Sequence, residues 1–279
     1  MPFSARMLAA LRRHWPYYLA EAAGIASFVV CAGSLTILLE HPASPVRQAL
    51  QTNDLARHML LGAGMVLVIV CIVYSPWGKR SGAHINPAVT LAFWHLGKVR
   101  TPDAVWYVLG QVAGAIGAGQ LMKVVFGELY AHPTVNYTVT QPVGLPRGEA
   151  LAFGAEFIIS FILMGVLLFA LHSKRLKNLA GWLIGALLAV YIVVETPYSG
   201  MSLNPARTLG TALAAGSYRG LWVYWVAPPL AMWLATVLFR RFYHGEALDC
   251  AVLAGCGPGI SSPHTPDEEP PVYPDENGE

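Results

Sequence analysis

Two short segments of the chain carry the same residues in the same order. Ser81-Gly82-Ala83-His84-Ile85-Asn86-Pro87-Ala88 and Ser199-Gly200-Met201-Ser202-Leu203-Asn204-Pro205-Ala206 both begin Ser-Gly and place Asn-Pro-Ala five residues after the serine. Both run on into Thr-Leu, at Thr90-Leu91 and Thr208-Leu209. The local chemistry is that of a helix start. Asparagine caps well, and proline is tolerated at the first helical position because its missing N–H has no partner there in any helix. Each box opens an apolar stretch of ~11 residues, which at 1.5 Å per residue crosses about half a bilayer. Arg207 follows the second box directly. Two carboxylates echo the duplication, Glu21 in Leu-Ala-Glu-Ala-Ala-Gly and Glu156 in Gly-Ala-Glu-Phe-Ile-Ile. Ionised carboxylates are costly in a membrane and need partners. Both are expected to face inward and to accept hydrogen bonds from the backbones of the two duplicated loops.

The elements that must position these groups are spanning helices. Of 279 residues, 55% are hydrophobic and only 12% charged, against about 25% charged in a soluble domain. Six long apolar runs lie at about 17–39, 59–76, 103–126, 149–171, 179–197 and 221–242, each long enough to cross a bilayer with some tilt. Glycines recur in them, Gly110, Gly114 and Gly117 in the third and Gly181 and Gly185 in the fifth, at spacings that let helix backbones approach. The first box follows run two and the second follows run five. Three runs per half give the halves opposite orientation, an inverted 3+3 repeat with its path near the midplane where broken helices meet. The fold class is therefore all-α and membrane-embedded, with six transmembrane helices plus two re-entrant half-helices.

Basic residues orient the chain. Arg6, Arg12, Arg13, Lys79, Arg80, Lys98, Arg100, Lys174, Arg175, Lys177, Arg240 and Arg241 fall on one side; Arg47, Arg57, Arg147 and Arg219 fall on the other, with Lys123 near a boundary. That asymmetry places both termini in the cytoplasm. The expected division is a cytoplasmic segment 1–16, a membrane domain 17–242 (repeats at about 17–126 and 149–242), and a disordered tail 243–279. The tail is rich in proline and acid, as in Pro266-Asp267-Glu268-Glu269-Pro270-Pro271, a composition that buries no core.

Other classes find little support. The net charge of +2 is too small to suggest a nucleic-acid partner. Cys31, Cys71, Cys250 and Cys256 have no zinc spacing and form no disulfide framework. No Ser/His/Asp arrangement, metal spacing or phosphate loop suggests an enzyme, and no cofactor or metal is expected. A gradient-coupled secondary transporter also uses inverted repeats and broken helices; Glu21 and Glu156 would then be its coupling groups.

The two boxes, the paired glutamates, Gly-Gln-Val-Ala-Gly-Ala at 110–115 and Tyr-Trp-Val-Ala-Pro-Pro at 224–229 make residues of about 15–242 resemble the aquaporin, or major intrinsic protein, family. The resemblance implies a homotetramer in the plasma membrane, with one pore per subunit for water and small uncharged solutes such as glycerol, urea or ammonia. It implies that Asn86, Pro87, Ala88, Asn204, Pro205 and Ala206 form the pore centre. Arg207, Ile192 and Met201 fall at positions of the family's narrow filter, together with Val66 by counting back from Asn86, or Met65 if the loop Ser75–Gly82 holds a one-residue insertion. Water-selective members usually have histidine at the place of Ile192 and an aromatic residue in run two, so this filter is mostly apolar with one cation. A small-solute facilitator of the aquaglyceroporin or metalloid type is the alternative. Thr208 stands where glycerol-conducting members usually carry aspartate, and with Ala212 and Tyr224-Trp225 it looks more like the water branch. His84 falls at the cytoplasmic mouth, where a hydrogen-bonded structural role is expected. Asn136-Tyr137-Thr138 is a glycosylation sequon, and Glu195, near the end of run five, has no assigned place.

Overall fold

A computed structural model describes residues 2–50, 53–144, 147–243, 248 and 251–255. Cys250, Cys256 and the acidic, proline-rich stretch lie outside the described residues, so the expectations placed on them have no structural counterpart. The described elements are helical throughout: α1 (Phe3–Glu40), α2 (Pro45–Ala49), α3 (Asp54–Tyr74), α4 (Pro76–Ser81), α5 (Pro87–His95), α6 (Thr101–Phe126), α7 (Glu128–Ala131), α8 (Gly148–His172), α9 (Ala180–Val194), α10 (Thr196–Ser199), α11 (Pro205–Ala215) and α12 (Leu221–Phe242).

Six of these, α1, α3, α6, α8, α12 and α9 with the turn before it, are long and apolar enough to cross a membrane. The burial pattern is that of a protein solvated by lipid. Apolar side chains such as Leu19, Leu67, Val124, Ile158 and Val190 are exposed, whereas Glu21, Thr90, Gln111, Glu156, Ser160 and Thr208 are fully buried. Polar groups in hydrocarbon must find protein partners, so they turn inward.

The packing repeats the sequence duplication. α1 packs on α6 as α8 packs on α12, and α3 packs on α9. Each half-helix crosses to the other repeat: α5 lies against α12, and α11 against α6. Close approach at two of these crossings depends on glycine. A Cβ on Gly114 would sit 2.2 Å from Ala22 O on α1, and one on Gly210 would sit 2.4 Å from Ala115 O on α6. Gly110 serves the same α1 crossing, while Gly117, in the same row, meets nothing within 4 Å.

Two boundaries differ from the sequence reading. The segment 1–16 is not separate: α1 begins at Phe3 and runs through Pro16. The stretch from 243 is also not structureless where it is described. Leu248 and residues 251–255 are buried at the face of the bundle that carries the start of α1 and the end of α12, here the terminal face. Leu253 N donates to Gly82 O at 3.0 Å. The acidic, proline-rich residues dominate the average composition of 243–279. Ala251-Val252-Leu253-Ala254 is an apolar run hidden within it.

Candidate functional site

The first re-entrant loop runs from α4 to α5 and enters from the terminal face. Ala83 and Ile85 hold positive φ (54° and 42°), an alternation that L-residues adopt only under constraint. Glu21 supplies the constraint. Its Oε1 accepts from Ser81 Oγ at 2.8 Å and His84 N at 3.0 Å; its Oε2 accepts from Ile85 N at 2.5 Å and Gln111 Nε2 at 2.7 Å. Four donors satisfy a carboxylate that is wholly buried. The second loop, from α10 to α11, repeats this from the opposite face. Met201 and Leu203 have positive φ (52° and 60°). Glu156 accepts from Ser199 Oγ at 2.6 Å, Ser202 N at 2.7 Å and Leu203 N at 2.8 Å. Tyr107 and Tyr224 pin the two loops alike, donating to Ser81 O at 2.6 Å and Ser199 O at 2.5 Å.

The half-helices begin where the Asn-Pro signal places them. Asn86 Oδ1 accepts from Ala88 N, and Asn204 Oδ1 accepts from Ala206 N and Arg207 N. With each amide oxygen turned onto its own helix, each amide nitrogen points across the repeat boundary. Asn86 Nδ2 donates to Leu203 O and Asn204 Nδ2 to Ile85 O, both at 2.8 Å. The tips of α5 and α11 are thereby tied to each other through the loops that feed them. An amide nitrogen carries two protons. One on each asparagine is spent on this tie, which leaves one each on side chains that line the central cavity.

That cavity measures about 370 Å³ and has residues of both faces in its wall. At the opposite face it is lined by Thr36, Glu40, His58 and Thr138, then by Met65, Ile192, Met201 and Arg207; further in come Asn86 and Asn204, and at the terminal face Val73, Ala83, His84, Leu167 and Leu253. The ambiguity in α3 falls to Met65, which is buried and lines the cavity. Val66 instead meets α9, where a Cβ on Gly185 would lie 3.3 Å from Val66 Cγ1. Pro87, Ala88, Pro205 and Ala206 are buried behind the asparagines. Arg207 Nη1 has no hydrogen-bond partner in the protein. Thr208 does not reach the cavity: its hydroxyl bonds Ser202 Oγ and, at 2.7 Å, Thr140 Oγ1, which steadies the loop from behind. His84 is buried, stacked on Phe93 and held at Nε2 by Ala251 O at 2.9 Å. Asn136 is exposed and opens a short 3-10 turn, Asn136–Thr138, at the opposite face.

The sequence reading missed two contributors. Arg57, read only as a charge outside the membrane, is buried and donates from Nε to both carboxylate oxygens of Glu40 at 3.2 Å, and from Nη1 to Leu50 O at 3.0 Å. It therefore fixes a carboxylate in the cavity wall. Leu253, from the segment read as a tail, forms part of the wall at the other end. Spacing along the chain signals neither, because both depend on tertiary approach.

Two half-membrane helices, each docked on the third helix of the other repeat, define an integral membrane protein whose cavity follows the seam between inverted halves. Within that class the chain belongs to the major intrinsic protein family, which its sequence matches over residues 10–239. It is 39% identical over 165 residues to aquaporin NIP1-2 of Oryza sativa subsp. japonica, covering 58% of this chain and 53% of that one. It is 40% identical over 182 residues to aquaporin NIP6-1 of Arabidopsis thaliana, covering 64% and 57%. The chain thus spans a little over half the length of these curated relatives. In fold it is similar to the aquaglyceroporin from Plasmodium falciparum, with a TM-score of 0.65 over 82% of this chain and 96% of that one, at 18% identity.

Proposed function

We propose that this protein is a passive channel that passes water and small uncharged solutes along the cavity of each subunit and holds back ions and protons. The carrying observation is the division of labour at Asn86 and Asn204, whose oxygens are fixed as caps and whose remaining amide protons line the cavity. A water at the centre gives its oxygen to both donors and turns its own hydrogens outward, toward its neighbours in the file. The file is then polarised oppositely in the two halves, which disfavours proton hopping through the middle.

Magnitudes rank the barriers to ions. Each half-helix N-terminus carries roughly half a positive charge, and at ~8 Å with an effective dielectric of ~20 it repels a cation by about 1 kcal/mol. Arg207 at ~5 Å adds about 3 kcal/mol on the same scale. Stripping an ion's hydration costs several kcal/mol even after relaxation. Narrowness and lost hydration therefore exclude ions first, and the fixed positive charge adds to that barrier.

Met65, Ile192, Met201 and Arg207 form the selectivity filter in this reading. A ring of three apolar side chains and one guanidinium favours small neutral solutes alongside water; the aquaporin names of the relatives support water as the principal permeant. The same ring is the observation that favours the second reading, a facilitator whose main cargo is a small neutral solute. Assembly as a homotetramer in the plasma membrane, with both termini cytoplasmic, completes the proposal. The terminal face, with its clustered basic residues, is then the inner face.

Purified protein in liposomes tests this by stopped-flow light scattering with water, glycerol and urea. Fast water flow with a low activation energy is expected. Arg207→Ala is expected to raise glycerol and urea rates several-fold relative to water, and Ile192→His to lower them. Identical profiles for all three proteins would refute the filter assignment. Saturable uptake that depends on a proton or sodium gradient would replace the channel with a transporter.

A further inference from the structure

Glu195 is 4% exposed, at the break between α9 and α10, and permeation as described above makes no use of it. The first repeat has no counterpart: four residues before Ser199 stands Glu195, whereas four residues before Ser81 stands Trp77, which is exposed. The carboxyl is an addition to the second loop alone.

Proton counting around Ser199 shows what it does there. Ser199 Oγ accepts from Met201 N at 3.1 Å. It also lies 2.6 Å from Glu156 Oε1 and 2.5 Å from Glu195 Oε1. A serine hydroxyl has one proton and can donate to one acceptor. If both acids were ionised, one of the two contacts would be an oxygen–oxygen approach with no proton between. One acid must therefore bring its own. Glu156 already accepts a backbone N–H on each oxygen, from Ser202 and Leu203, and such donors favour the charged form. Glu195 Oε2 has no hydrogen-bond partner, and the burial that disfavours its charge outweighs the help of Ser199 and the Met201 backbone at the other oxygen. The negative charge belongs on Glu156 and the proton on Glu195.

We propose that Glu195 is a neutral carboxylic acid that donates its proton to Ser199 Oγ, so that Ser199 can donate to Glu156, and that this relay positions the loop presenting Met201 and Arg207 to the cavity. Glu195 is a positioning residue, and its consequence for permeation rests on the channel reading. The titratable and charged groups facing it are Glu156 of α8 and Tyr224 of α12. Arg207 of α11 acts on Glu156, and Tyr191 lies one turn back on α9. Loss of the Glu195 proton sets two carboxylates against one hydroxyl. One contact must open, the loop relaxes, and the filter discriminates less well between water and larger solutes.

Two measurements test this. The first is infrared difference spectroscopy of the purified protein, which reads the carbonyl stretch of a protonated carboxylic acid. A band present at neutral pH in wild type and missing from Glu195→Gln is expected; its absence from wild type overturns the proposal, whether or not the protein conducts. The second is the glycerol-to-water permeability ratio in liposomes as the external pH rises from about 5 to about 10. The wild-type ratio is expected to rise several-fold and reversibly. Glu195→Gln, whose amide N–H can donate to Ser199 Oγ, is expected to keep the acid-side ratio throughout, and Glu195→Ala, which leaves Ser199 facing Glu156 alone, to lose the pH dependence as well. A glutamine variant that titrates as wild type does, or a wild-type ratio that stays flat, overturns the relay. Liposomes that pass no more water than empty ones count against the channel reading, while the infrared band still decides the protonation of Glu195.

Discussion

Glu21→Ala is expected to yield almost no correctly assembled protein. Among the described residues the carboxylate is the one acceptor for His84 N and Ile85 N, and it also accepts from Ser81 Oγ and Gln111 Nε2. Alanine leaves His84 N, Ile85 N and Ser81 Oγ without this acceptor in a fully buried place, while Gln111 Nε2 keeps its bond to Thr90 Oγ1 at 3.0 Å. An orphaned buried donor costs roughly 1–3 kcal/mol, so these three cost roughly 3–9 kcal/mol, against a total stability of about 5–15 kcal/mol. The strained φ values at Ala83 and Ile85 also lose the anchor that holds them. Thermal unfolding in detergent, followed by size-exclusion chromatography, checks the expectation. Glu21→Gln should fall between wild type and alanine, because an amide accepts at one oxygen but sets its own N–H against a donor. An alanine variant with an unchanged unfolding midpoint would show that the cradle does not carry the loop.

The second large effect is steric. At Gly210 even the first side-chain carbon would lie 2.4 Å from Ala115 O and 2.6 Å from Ala115 C, and both are backbone atoms. From the other side, Gly119 meets Gly210 O at 2.4 Å. Overpacking among flexible side chains costs about 1–3 kcal/mol; here nothing flexible can yield, so α11 must move off α6. Asn204 and Arg207 sit on the first turn of α11 and move with it. Gly210→Val is therefore expected to abolish water flow per molecule, even in any fraction that reaches the membrane. Gly117→Ala, on the same helix α6 but on an exposed side with open space around it, is expected to leave expression and flow unchanged. Comparable flow from both variants would mean that the α6–α11 contact is not required.

The half-helices were legible because their signals are local: an Asn-Pro start and, for α11, the left-handed Gly216 that ends it. The six runs were legible because hydrocarbon demands long apolar stretches. Their ends were less so, since propensity carries α1 on past Pro16 toward Phe3 and no charge pattern marks the true start. Met65 and Val66 could not be separated by counting, because Pro76–Ser81 coils into α4 and takes up chain that a simple loop would leave extended. Glu195 had no assigned place in the sequence, because its meaning lies in Ser199 and Glu156 meeting it at once. The second of those partners comes from another helix. Arg57 and Leu253 likewise acquire their places only when distant parts of the chain come together.

The cavity mouth at the terminal face has a wall made by residues that follow the last helix, with Leu253 and Ala251 resting on Gly82 and His84. Anything fused just beyond this stretch is thus attached next to the cavity itself, and an affinity tag placed there is not a neutral handle. Preparations tagged at Met1 and directly after Gly255 would be different experimental objects. Flux values drawn from the two should be compared only after the appended residues have been cut away.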